Sequence, residues 1–422
     1  MEGQKYIDKN IRRKNMTDTI PMIGVSYLIV NRDGKIKAIN GETMQTDYSG
    51  YNANIVIQKS INSVEEGDTI QINPGIYTIR KLSMKPVNLI GSGKSTILKL
   101  ADNVNSDMIE SYSGGNLNNR VYYKRGKIAN LKIDGNKDHQ NSGNGIVLAW
   151  TMEYILDNIQ FENIKGYAIK LLRSFWTSTR NISISGSTNG IKIGEYDITG
   201  KYNNGSPIDL FTNQNNFTTV NIHGDGVPNA RGIHIESGDA NTFIGCDTSG
   251  CATGIHLEAV TGVDHVWRTN LIAHWFEANI TGIKMVNGGT EGTRYTYLHQ
   301  PVFSSNNKNI DDNTGHYILI TADSIEGGLY APDITLYRLF TKYGIYKGAG
   351  DEIYIKDPVS MTDIFDMRTY SADYGGNFAN FNLPSPKGKG HFFFAHDISS
   401  TNPSKRLYVS LDGIRWNFTT FS

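Results

Sequence analysis

Two cysteines, Cys246 and Cys251, are all that this chain of 422 residues contains, and both stand in one short segment. So few thiols exclude a disulfide framework, and two thiols alone make a poor zinc site. The sequence therefore predicts buried cysteines that fill space in a core, and it leaves the redox compartment of the protein open.

Neither sign of charge is in excess, because 41 lysine and arginine residues face 41 aspartate and glutamate residues. Without a large basic field, nucleic acid is not expected as a partner. No run of 18 apolar residues occurs, so membrane insertion is not expected, and the N-terminal segment lacks the apolar stretch of a secretion signal. If the protein acts outside a cell, we expect it to arrive there by assembly into a particle or by lysis.

Proline is also scarce, with 11 residues, whereas 44 glycines and 23 tyrosines are present. Gly and Asn residues that interrupt short runs rich in Ile and Val favour many short strands joined by turns. The length suits two or three ordinary domains or one elongated repeat domain. An all-β fold is therefore predicted.

One short strand recurs through the middle of the chain. GIVLAW, AIKLLR, GIKIGE, GIHIES, GIHLEA and GIKMVN begin at residues 145, 168, 190, 232, 254 and 282, so most steps are close to 22 residues and the longer steps have an inserted loop. A second strand, which ends in a polar residue, precedes each of them. Two short strands per repeat with a period of two residues fit a parallel β-helix, whose coils stack about 4.8 Å apart.

The segment before the repeats has a distinctive series of elements. IVIQKSINSVEEGDTIQINPGIYTI predicts an apolar capping helix over residues 55–64, then a strand and a turn at Pro74-Gly75, and VNLIGSGKSTILKL follows. This series resembles the pectate-lyase-like superfamily of right-handed β-helices, in particular its members on bacteriophage tail spikes and among secreted polysaccharide-degrading enzymes. The resemblance covers about residues 46–325. It implies a right-handed, single-stranded parallel β-helix, and it implies no particular reaction, because this fold carries many chemistries.

GSGKST at residues 91–96 lacks the features of a phosphate-binding loop. That motif needs a glycine five residues before Gly93, where Asn88 stands, and it needs a following helix, where ILKL predicts a strand. The segment is predicted to form a glycine-rich corner of the coil, and no cofactor is expected.

Three regions are predicted along the chain. Residues 1–45 are expected to form an attachment arm and a first strand with a hairpin turn at residues 33–35, and residues 46–330 are expected to form the β-helix. Residues 331–422, where the repeat fades, predict a small C-terminal β domain. Within it, RLYVSLDGIRWNF resembles the strand-rich ends of tail proteins, and this resemblance implies a homotrimer.

Two ladders of outward-facing side chains are predicted on the recurring strands, because alternate residues of a strand point to opposite sides. With the Ile and Leu positions facing inward, stacking places Glu236 about 5 Å from Glu258 and His234 beside His256. The first ladder is Val147, Lys170, Lys192, His234, His256 and Lys284, and the second is Ala149, Leu172, Gly194, Glu236, Glu258 and Val286.

Glu236 and Glu258 are therefore the first candidates for catalysis. Like charges at this distance raise the pKa of one carboxyl group, and the spacing matches the nucleophile and proton donor of a retaining glycosidase. His234 and His256 are expected to tune this pair or to bind sugar hydroxyl groups. The alternative is a solvated ladder in which cationic side chains compensate the glutamates. A metal site is not expected, because a flat ladder offers no convergent ligands.

Three long insertions leave the coil directly after the recurring strands, and we expect them to stack into one wall beside the glutamates. Their aromatic and charged side chains are of the kind that binds pyranose rings by stacking and hydrogen bonding. The alternative is that these aromatic side chains pack the loops onto the coil. The candidate substrate-binding residues in or beside the insertions are Tyr196, Trp267, Arg268, Tyr295 and Tyr297, and Asp264 is a further catalytic candidate.

A second line of acidic residues lies at the ends of the preceding strands. Asp247 with either Asp225 or Glu277 is the second choice for a catalytic pair. The inward-facing aromatic residues near Trp275 are expected to lie in the core. This edge of the coil is therefore an alternative location for the active site.

The motifs NTD, GHG and RIK of polygalacturonase-type superfamily members are absent from the sequence, and no acidic calcium cluster faces an Arg or Lys base. These departures argue against pectinase activity. The sequence predicts a virion protein similar to tail spikes that binds a host cell-surface polysaccharide, with glycoside hydrolysis as its enzymatic option and other tail or baseplate proteins bound through the N-terminal arm. One alternative is a non-enzymatic adhesin or structural fibre, and another is a secreted, extracellular polysaccharide lyase of cellular origin.

Overall fold

Parallel pairing between strands of successive coils organises most of the chain. The computed structural model describes residues 24–112, 122–201, 207–259, 265–287, 292–294, 296–312 and 318–321, together with four strands nearer the C-terminus. The described chain opens with β1 (Tyr27–Arg32), β2 (Lys35–Asn40), β3 (Thr46–Gly50) and helix α1 (Ala53–Ser63).

The coils consist of short strands separated by turns. In chain order, the strands of the first five coils are β4 (Thr69–Ile72), β5 (Gly75–Ile79), β6 (Leu82–Met84), β7 (Asn88–Ile90), β8 (Thr96–Leu100), β9 (Ile109–Tyr112), β10 (Tyr123–Lys124), β11 (Lys127–Asp134), β12 (Ile146–Ala149), β13 (Thr151–Met152), β14 (Ile155–Glu162), β15 (Tyr167–Leu172), β16 (Ser178–Ser185) and β17 (Asn189–Ile193). A 3-10 helix, Lys137–His139, lies between β11 and β12.

The later coils continue the same order, with one hairpin inserted. Their strands are β18 (Tyr196–Lys201), β19 (Pro207–Asp209), β20 (Thr212–Asn213), β21 (Asn216–His223), β22 (Arg231–Ile235), β23 (Gly238–Asp239), β24 (Thr242–Ile244), β25 (Asp247–Ser249), β26 (Thr253–Ala259), β27 (Val266–Trp267), β28 (Asn270–Ile272), β29 (Trp275–Glu277), β30 (Thr281–Asn287), β31 (Thr293–Arg294), β32 (Thr296–His299), β33 (Val302–Ser304), β34 (Lys308–Asp312) and β35 (Ile318–Thr321).

Three faces run along the described coils. Face 1 consists of β4 and β7, the first halves of β11, β14, β16 and β21, and then β24, β28, β32 and β35. Face 2 consists of β5 and β8, the second halves of the same four long strands, and then β25, β29 and β33. Face 3 consists of β6, β9, β12, β15, β17, β22, β26, β30 and β34.

A narrow fourth strip follows face 3 in the coils and is called the short sheet here. It consists of β10, β13, β20, β23, β27 and β31, and single bridges at Phe175 connect its two parts. Every pairing between successive coils is parallel, so the predicted parallel β-helix is confirmed. Parallel strands joined by a crossover connect with a right-handed turn in nearly all proteins, in agreement with the right-handed coil that the sequence predicts.

The described coils have three main strands each, not the two that the sequence pattern predicts. In β11, β14, β16 and β21, one residue with positive φ turns the chain from face 1 to face 2 without interrupting the strand; these residues are Asn130, Asn158, Asn181 and Thr219. Asn tolerates this conformation better than most residues. The side chain of Asn158 also donates a hydrogen bond of 2.9 Å to that of Asn130. Because the apolar pattern continues through the corner, faces 1 and 2 resemble one strand in the sequence.

The interior side of face 3 is a stack of isoleucines, one from each face-3 strand from β9 to β34, in continuous register and fully buried. Burial of each isoleucine side chain contributes about 1.5–3 kcal/mol to the free energy of unfolding. This stack explains the recurring Ile of the Gly-Ile pattern. The residues that alternate with these isoleucines along each strand face outward. Its members are Ile109, Ile146, Ile169, Ile191, Ile233, Ile255, Ile283 and Ile310.

Helix α1 covers the first coil, as predicted. The side chain of Asn52 accepts a hydrogen bond of 3.2 Å from the backbone N–H of Ile55 and so caps the helix N-terminus. The helix packs against β2, β3, β5 and β6 and buries Val56, Ile57 and Ile61. Its bounds lie within two residues of the predicted range.

Three local predictions are also confirmed. β1 and β2 form an antiparallel hairpin whose turn contains Asp33 and Gly34, both with positive φ. Cys246 and Cys251 are free and buried in the core. The segment at residues 91–96 is a corner between β7 and β8, and β8 begins directly at Thr96, so a strand rather than a helix follows it.

Four strands near the C-terminus, β36 (Ala372–Tyr374), β37 (His391–Asp397), β38 (Ser404–Ser410) and β39 (Asn417–Phe421), form a sheet. β37, β38 and β39 pair antiparallel, whereas β36 pairs in parallel with β37. The boundaries of the three predicted regions stay predictions. Among the described residues, no helix has the length and apolarity needed to cross a membrane.

Candidate functional site

The outer side of face 3 carries the ladder that the sequence predicts. In register, Lys192 lies beside His234, His234 beside His256, and His256 beside Lys284. The ladder also extends beyond the predicted members, to Glu110 at one end and Asp311 at the other. A group of charged side chains around the two histidines, called the face-3 cluster below, consists of Lys192, Glu195, Arg231, His234, Glu236, His256 and Glu258.

Glu258 lies at the centre of one half of this cluster. Its Oε2 atom is 3.1 Å from Nε2 of His234, 3.7 Å from Nε2 of His256 and 3.6 Å from Nη1 of Arg231. The hydrogen bond with His234 lowers the pKa of Glu258, and the neighbouring charges also lower it. Burial acts in the opposite direction. Glu258 is therefore held as a carboxylate.

Glu236 belongs to the other half of the cluster, where lysines compensate the acidic groups. Oε2 of Glu236 is 2.6 Å from Nζ of Lys192, and Glu195 lies 3.6 Å from Lys192 and 2.8 Å from Lys170. Burial opposes the charge of Lys192, yet Glu195 and Glu236 together raise its pKa. Burial likewise opposes the charge of Glu195, yet the two lysines lower its pKa.

The predicted carboxylate pair thus has an unexpected electrostatic environment. Glu236 and Glu258 directly follow Ile235 and Leu257, which are in register on adjacent coils, so the chain brings both glutamates to one end of face 3. However, each glutamate has cationic or imidazole partners, and the pKa of Glu258 is lowered. The prediction that mutual repulsion raises the pKa of one carboxyl group is wrong for Glu258.

The two histidines are buried and stacked, with ring centroids 5.1 Å apart. Burial lowers the pKa of both imidazoles; for His234 the hydrogen bond with Glu258 opposes this effect, and for His256 the charge of Arg231 adds to it. Nδ1 of His234 lies 3.0 Å from the hydroxyl oxygen of Tyr167. Within the described part of the chain, His234, His256 and Glu258 are the group whose ligand atoms all lie within 4.8 Å of one another. The prediction of a flat ladder without convergent ligands is therefore wrong.

Beside face 3, the short sheet places two of the predicted substrate-binding residues next to each other. Trp267 stacks against His265, with ring centroids 4.2 Å apart, and His265 contacts Phe211 at 4.7 Å. Nε of Arg268 donates a hydrogen bond of 2.7 Å to the buried carboxylate of Asp239. These contacts agree with the alternative in which the aromatic side chains pack the loop onto the coil.

The remaining loop candidates lie elsewhere in the structure or outside the described residues. The backbone of Tyr196 begins β18, the first strand of an inserted hairpin, and Asp264 and Tyr295 lie outside the described residues. Tyr297 lies on face 1, in register with Asn270, where its side chain is partly exposed. Their roles in substrate binding or catalysis stay predictions.

Face 2 carries a second group of outward-facing polar and aromatic side chains, called the face-2 cluster below. Asp247 is in register with Trp275, and Ser249 is in register with both His223 and Glu277. Nδ1 of His223 lies 2.7 Å from Oγ of Ser249. The cluster therefore consists of His223, Asp247, Ser249, Trp275 and Glu277.

Asp247 is the acidic group of this cluster with a perturbed environment. One of its carboxylate oxygens is buried and has no hydrogen-bond partner among the described residues. Burial raises the pKa of Asp247, and the negative charge of Glu277 adds to the rise while His223 opposes it. Asp225, the other predicted partner, accepts a hydrogen bond from the backbone N–H of Gly186 at a turn and does not affect the pKa of Asp247.

Trp275 faces outward on face 2, with its side chain 44% exposed. Phe276, the inward-facing aromatic residue beside it, is fully buried in the core, as predicted. Strand alternation within Trp275–Glu277 explains the difference, because Phe276 takes the inward position between two outward neighbours. Val302, in register with Trp275 on the next coil, is also exposed.

Three functional candidates escaped the sequence analysis. Arg231 and Glu195 stand at the ends of recurring strands, and Asp239 stands in the short sheet, so none belongs to the repeated pattern that identified the ladders. One sequence feature indicated Arg231, namely its position three residues before His234. Its contact with Glu258 depends on the next coil and could not be inferred from that spacing.

Comparisons with known proteins find similarity to solved structures. No protein-family model and no curated protein sequence matches the chain. Among solved structures, the chain is similar to ORF18 of Geobacillus virus E2, with a TM-score of 0.49 and 11% identity over 92% of this chain and 83% of that one. It is similar to a tailspike protein of the E. coli bacteriophage HK620 in complex with a pentasaccharide, with a TM-score of 0.49 and 12% identity over 64% of this chain and 53% of that one.

An alginate lyase from Paenibacillus sp. str. FPU-7 is a third similar structure, with a TM-score of 0.38 and 14% identity over 70% of this chain and 96% of that one. The chain is a parallel β-helix protein, because the strands of its successive described coils pair in parallel.

Proposed function

We propose that the chain binds a polysaccharide on face 2 and hydrolyses a glycosidic bond there, with Asp247 as the proton donor and Glu277 as the second carboxylate. The observation that carries this proposal is the environment of Asp247. Its half-buried carboxyl group has a raised pKa, caused by burial and by the charge of Glu277. A general acid in a glycosidase needs such a shift, because it must keep its proton near neutral pH.

The placement of Glu277 suits this role. It lies one strand over and two residues along from Asp247 in the parallel register, which separates the two Cα atoms by roughly 8 Å. Paired carboxyl groups stand about 5–5.5 Å apart in retaining glycosidases and about 6.5–9.5 Å apart in inverting ones. Side chains that begin at this separation can reach either arrangement.

Trp275 supports a sugar-binding surface at the same place. Its half-exposed ring lies directly beside Asp247 in the register, and Val302 extends the apolar surface onto the next coil. An exposed indole next to carboxylates is a suitable platform for the C–H face of a pyranose ring, while the carboxylates accept hydrogen bonds from its hydroxyl groups. The face-3 cluster offers no exposed aromatic ring of this kind among the described residues.

The test is incubation of the purified chain with a panel of bacterial capsular polysaccharides and lipopolysaccharide O-antigens, followed by measurement of new reducing ends and oligosaccharide masses. We expect at least one glycan to be cleaved by the wild type and not by Asp247→Asn. Asp33→Asn, in the β1–β2 turn, is a matched control, because Asn also accepts the positive φ found there.

Other outcomes separate the alternatives. Binding of a glycan without release of fragments would favour a non-enzymatic adhesin. Fragments with an unsaturated end, detected by their ultraviolet absorbance, would favour a lyase. Release that survives Asp247→Asn and Glu277→Gln but is lost in Glu236→Gln or Glu258→Gln would return the active site to face 3.

We further propose that the protein is a homotrimer on a virion surface, attached to other tail or baseplate proteins through residues 1–45, with a host cell-surface polysaccharide as its ligand. The support is the sequence of the C-terminal strands, in which RLYVS forms part of β38. Sedimentation equilibrium of the full chain checks the assembly, since a monomer of 46.9 kDa would contradict the trimer.

A further inference from the structure

The face-3 cluster contains three side chains whose ligand atoms converge on one point. Oε2 of Glu258 is 3.1 Å from Nε2 of His234 and 3.7 Å from Nε2 of His256. Two ligands of a tetrahedral zinc ion at the usual metal distances of about 2.0–2.1 Å stand roughly 3.3 Å apart. The two distances bracket this value, so small side-chain movements would bring the three atoms to a common ion.

His256 is a buried group that lacks the partners a structural histidine usually has. Its side chain is almost fully buried, and neither of its ring nitrogens has a hydrogen-bond partner among the described residues. A buried polar group without a hydrogen-bond partner destabilises the fold. An ion between the two imidazoles and Glu258 would give Nε2 of His256 a partner.

Tyr167 gives His234 the support that metal-binding histidines commonly have. The hydroxyl oxygen of Tyr167 lies 3.0 Å from Nδ1 of His234, on the side of the ring away from Glu258. If the hydroxyl accepts the Nδ1 proton, an ion can take the place of the proton that Nε2 shares with Glu258 and bind the lone pair of Nε2. A partner of this kind fixes both the tautomer and the orientation of a ligating imidazole.

The cations around the cluster set the conditions for an incoming ion. Nη1 of Arg231 lies 3.1 and 3.2 Å from the two ring nitrogens of His234 and 3.6 Å from Glu258. The guanidinium group therefore holds the position that an incoming cation would take. Lys192 and Lys284 flank the histidines in the ladder, but Lys192 is paired with Glu195 and Glu236. The Arg231 side chain is about one third exposed and can move into solvent.

We propose that His234, His256 and Glu258 form a binding site for a divalent transition-metal ion of the zinc type, which replaces the guanidinium of Arg231. Two imidazoles and one carboxylate are a ligand set that zinc accepts, with a fourth position left for water or substrate. The site does not depend on the proposed glycan hydrolysis, because it lies on a different face. Tyr167 acts as a positioning residue.

The test uses the full chain, freed of metal with a chelator and titrated with zinc in a calorimeter and with cobalt in a visible spectrometer. We expect one ion per chain and the visible absorption bands of four-coordinate cobalt. His256→Gln and Glu258→Gln should each weaken binding by more than about 100-fold, since loss of an outer partner alone costs about 10–100-fold. His139→Gln, on the surface in the 3-10 helix, is the matched control.

Two further variants keep the test valid where a ligand variant does not fold. Tyr167→Phe should weaken zinc binding by about 10–100-fold while the cobalt spectrum keeps its shape. Arg231→Gln should tighten binding by about 10-fold, because it removes a competing positive charge from the site. Absence of zinc binding at millimolar concentration, binding unaffected by His256→Gln, or weaker binding in Arg231→Gln would each overturn the proposal.

Discussion

Face 2 and face 3 carry acidic side chains on strands of the same spacing, yet the two faces arrange their charges differently. On face 3, Glu236 is paired with Lys192, and Glu258 is surrounded by imidazole and guanidinium groups. On face 2, neither Asp247 nor Glu277 has an ion-pair partner among the described residues, and Asp247 has a buried oxygen without a hydrogen bond.

This difference separates two uses of the same scaffold. Compensated carboxylates stay ionised and suit charge pairing or metal ligation, whereas a poorly solvated carboxyl group beside a second acid suits proton transfer. The presence of two neighbouring carboxylates is therefore a weaker indication of catalysis than the groups that surround them. A parallel β-helix can place either arrangement on any face, since all its outward positions are equivalent in the backbone.

The largest expected effect concerns glycan cleavage. Asp247→Asn should reduce the rate of fragment release by about 10²–10⁴-fold, because a positioned general acid contributes a factor of this size. Glu277→Gln should cause a comparable loss. Initial rates on a cleaved glycan check both. An equal loss in Glu236→Gln, with Asp247→Asn fully active, would reverse the assignment of the two faces.

The same two faces should respond differently in unfolding. Among the described residues, Glu236→Gln leaves the nearly buried Lys192 with its longer contact to Glu195 as the remaining ion pair, and breaking a buried ion pair costs about 3–5 kcal/mol. Asp247→Asn removes a poorly solvated charge and should leave the free energy of unfolding unchanged or raise it. Urea denaturation measures both variants against the wild type. A large loss of stability in Asp247→Asn would show that its carboxylate has a structural partner.

Removal of the exposed Trp275 side chain should have a smaller effect, and it should affect glycan binding alone. Trp275→Ala should weaken glycan binding by about 10–150-fold, since burial of a large apolar side chain contributes about 1.5–3 kcal/mol. Titration of the Asp247→Asn background with an intact glycan, monitored by tryptophan fluorescence, isolates this step from cleavage. Ile76→Ala, at an exposed apolar position outside the face-2 cluster, is the control. Equal weakening by both substitutions would argue against a platform at Trp275.

Much of the fold was predictable from the sequence, because it follows from local patterns. The Gly-Ile repeat predicts a stack of inward isoleucines, and the His and Glu positions of the repeat predict outward ladders, as observed. The sequence did not predict the corner at Asn130, Asn158 and Asn181, because a single residue with positive φ does not interrupt the alternation of apolar residues.

The character of the candidate sites was less predictable. Arg231 and Glu195 reach the ladder from the ends of strands, so their contacts depend on the register between coils separated by loops of different length. Sequence spacing indicates which carboxylates stack, but not which cation compensates each of them. The unpartnered oxygen of Asp247 is likewise a property of packing, since it reflects what neighbouring side chains fail to supply.

The smallest expected effect is the pH dependence that Asp247 confers. Its pKa in the folded chain is raised above the ordinary value of 3.8, by burial and by Glu277. The folded chain therefore binds more protons than the unfolded chain between these two pKa values, and the stability of the wild type falls as the pH rises through that window. Asp247→Asn lacks this term, so its stability relative to the wild type should increase from about pH 4 upward and then level off. Urea midpoints of both proteins over a pH series measure the difference. A difference that is constant with pH would mean that Asp247 titrates normally, and face 2 would then lose its proton donor.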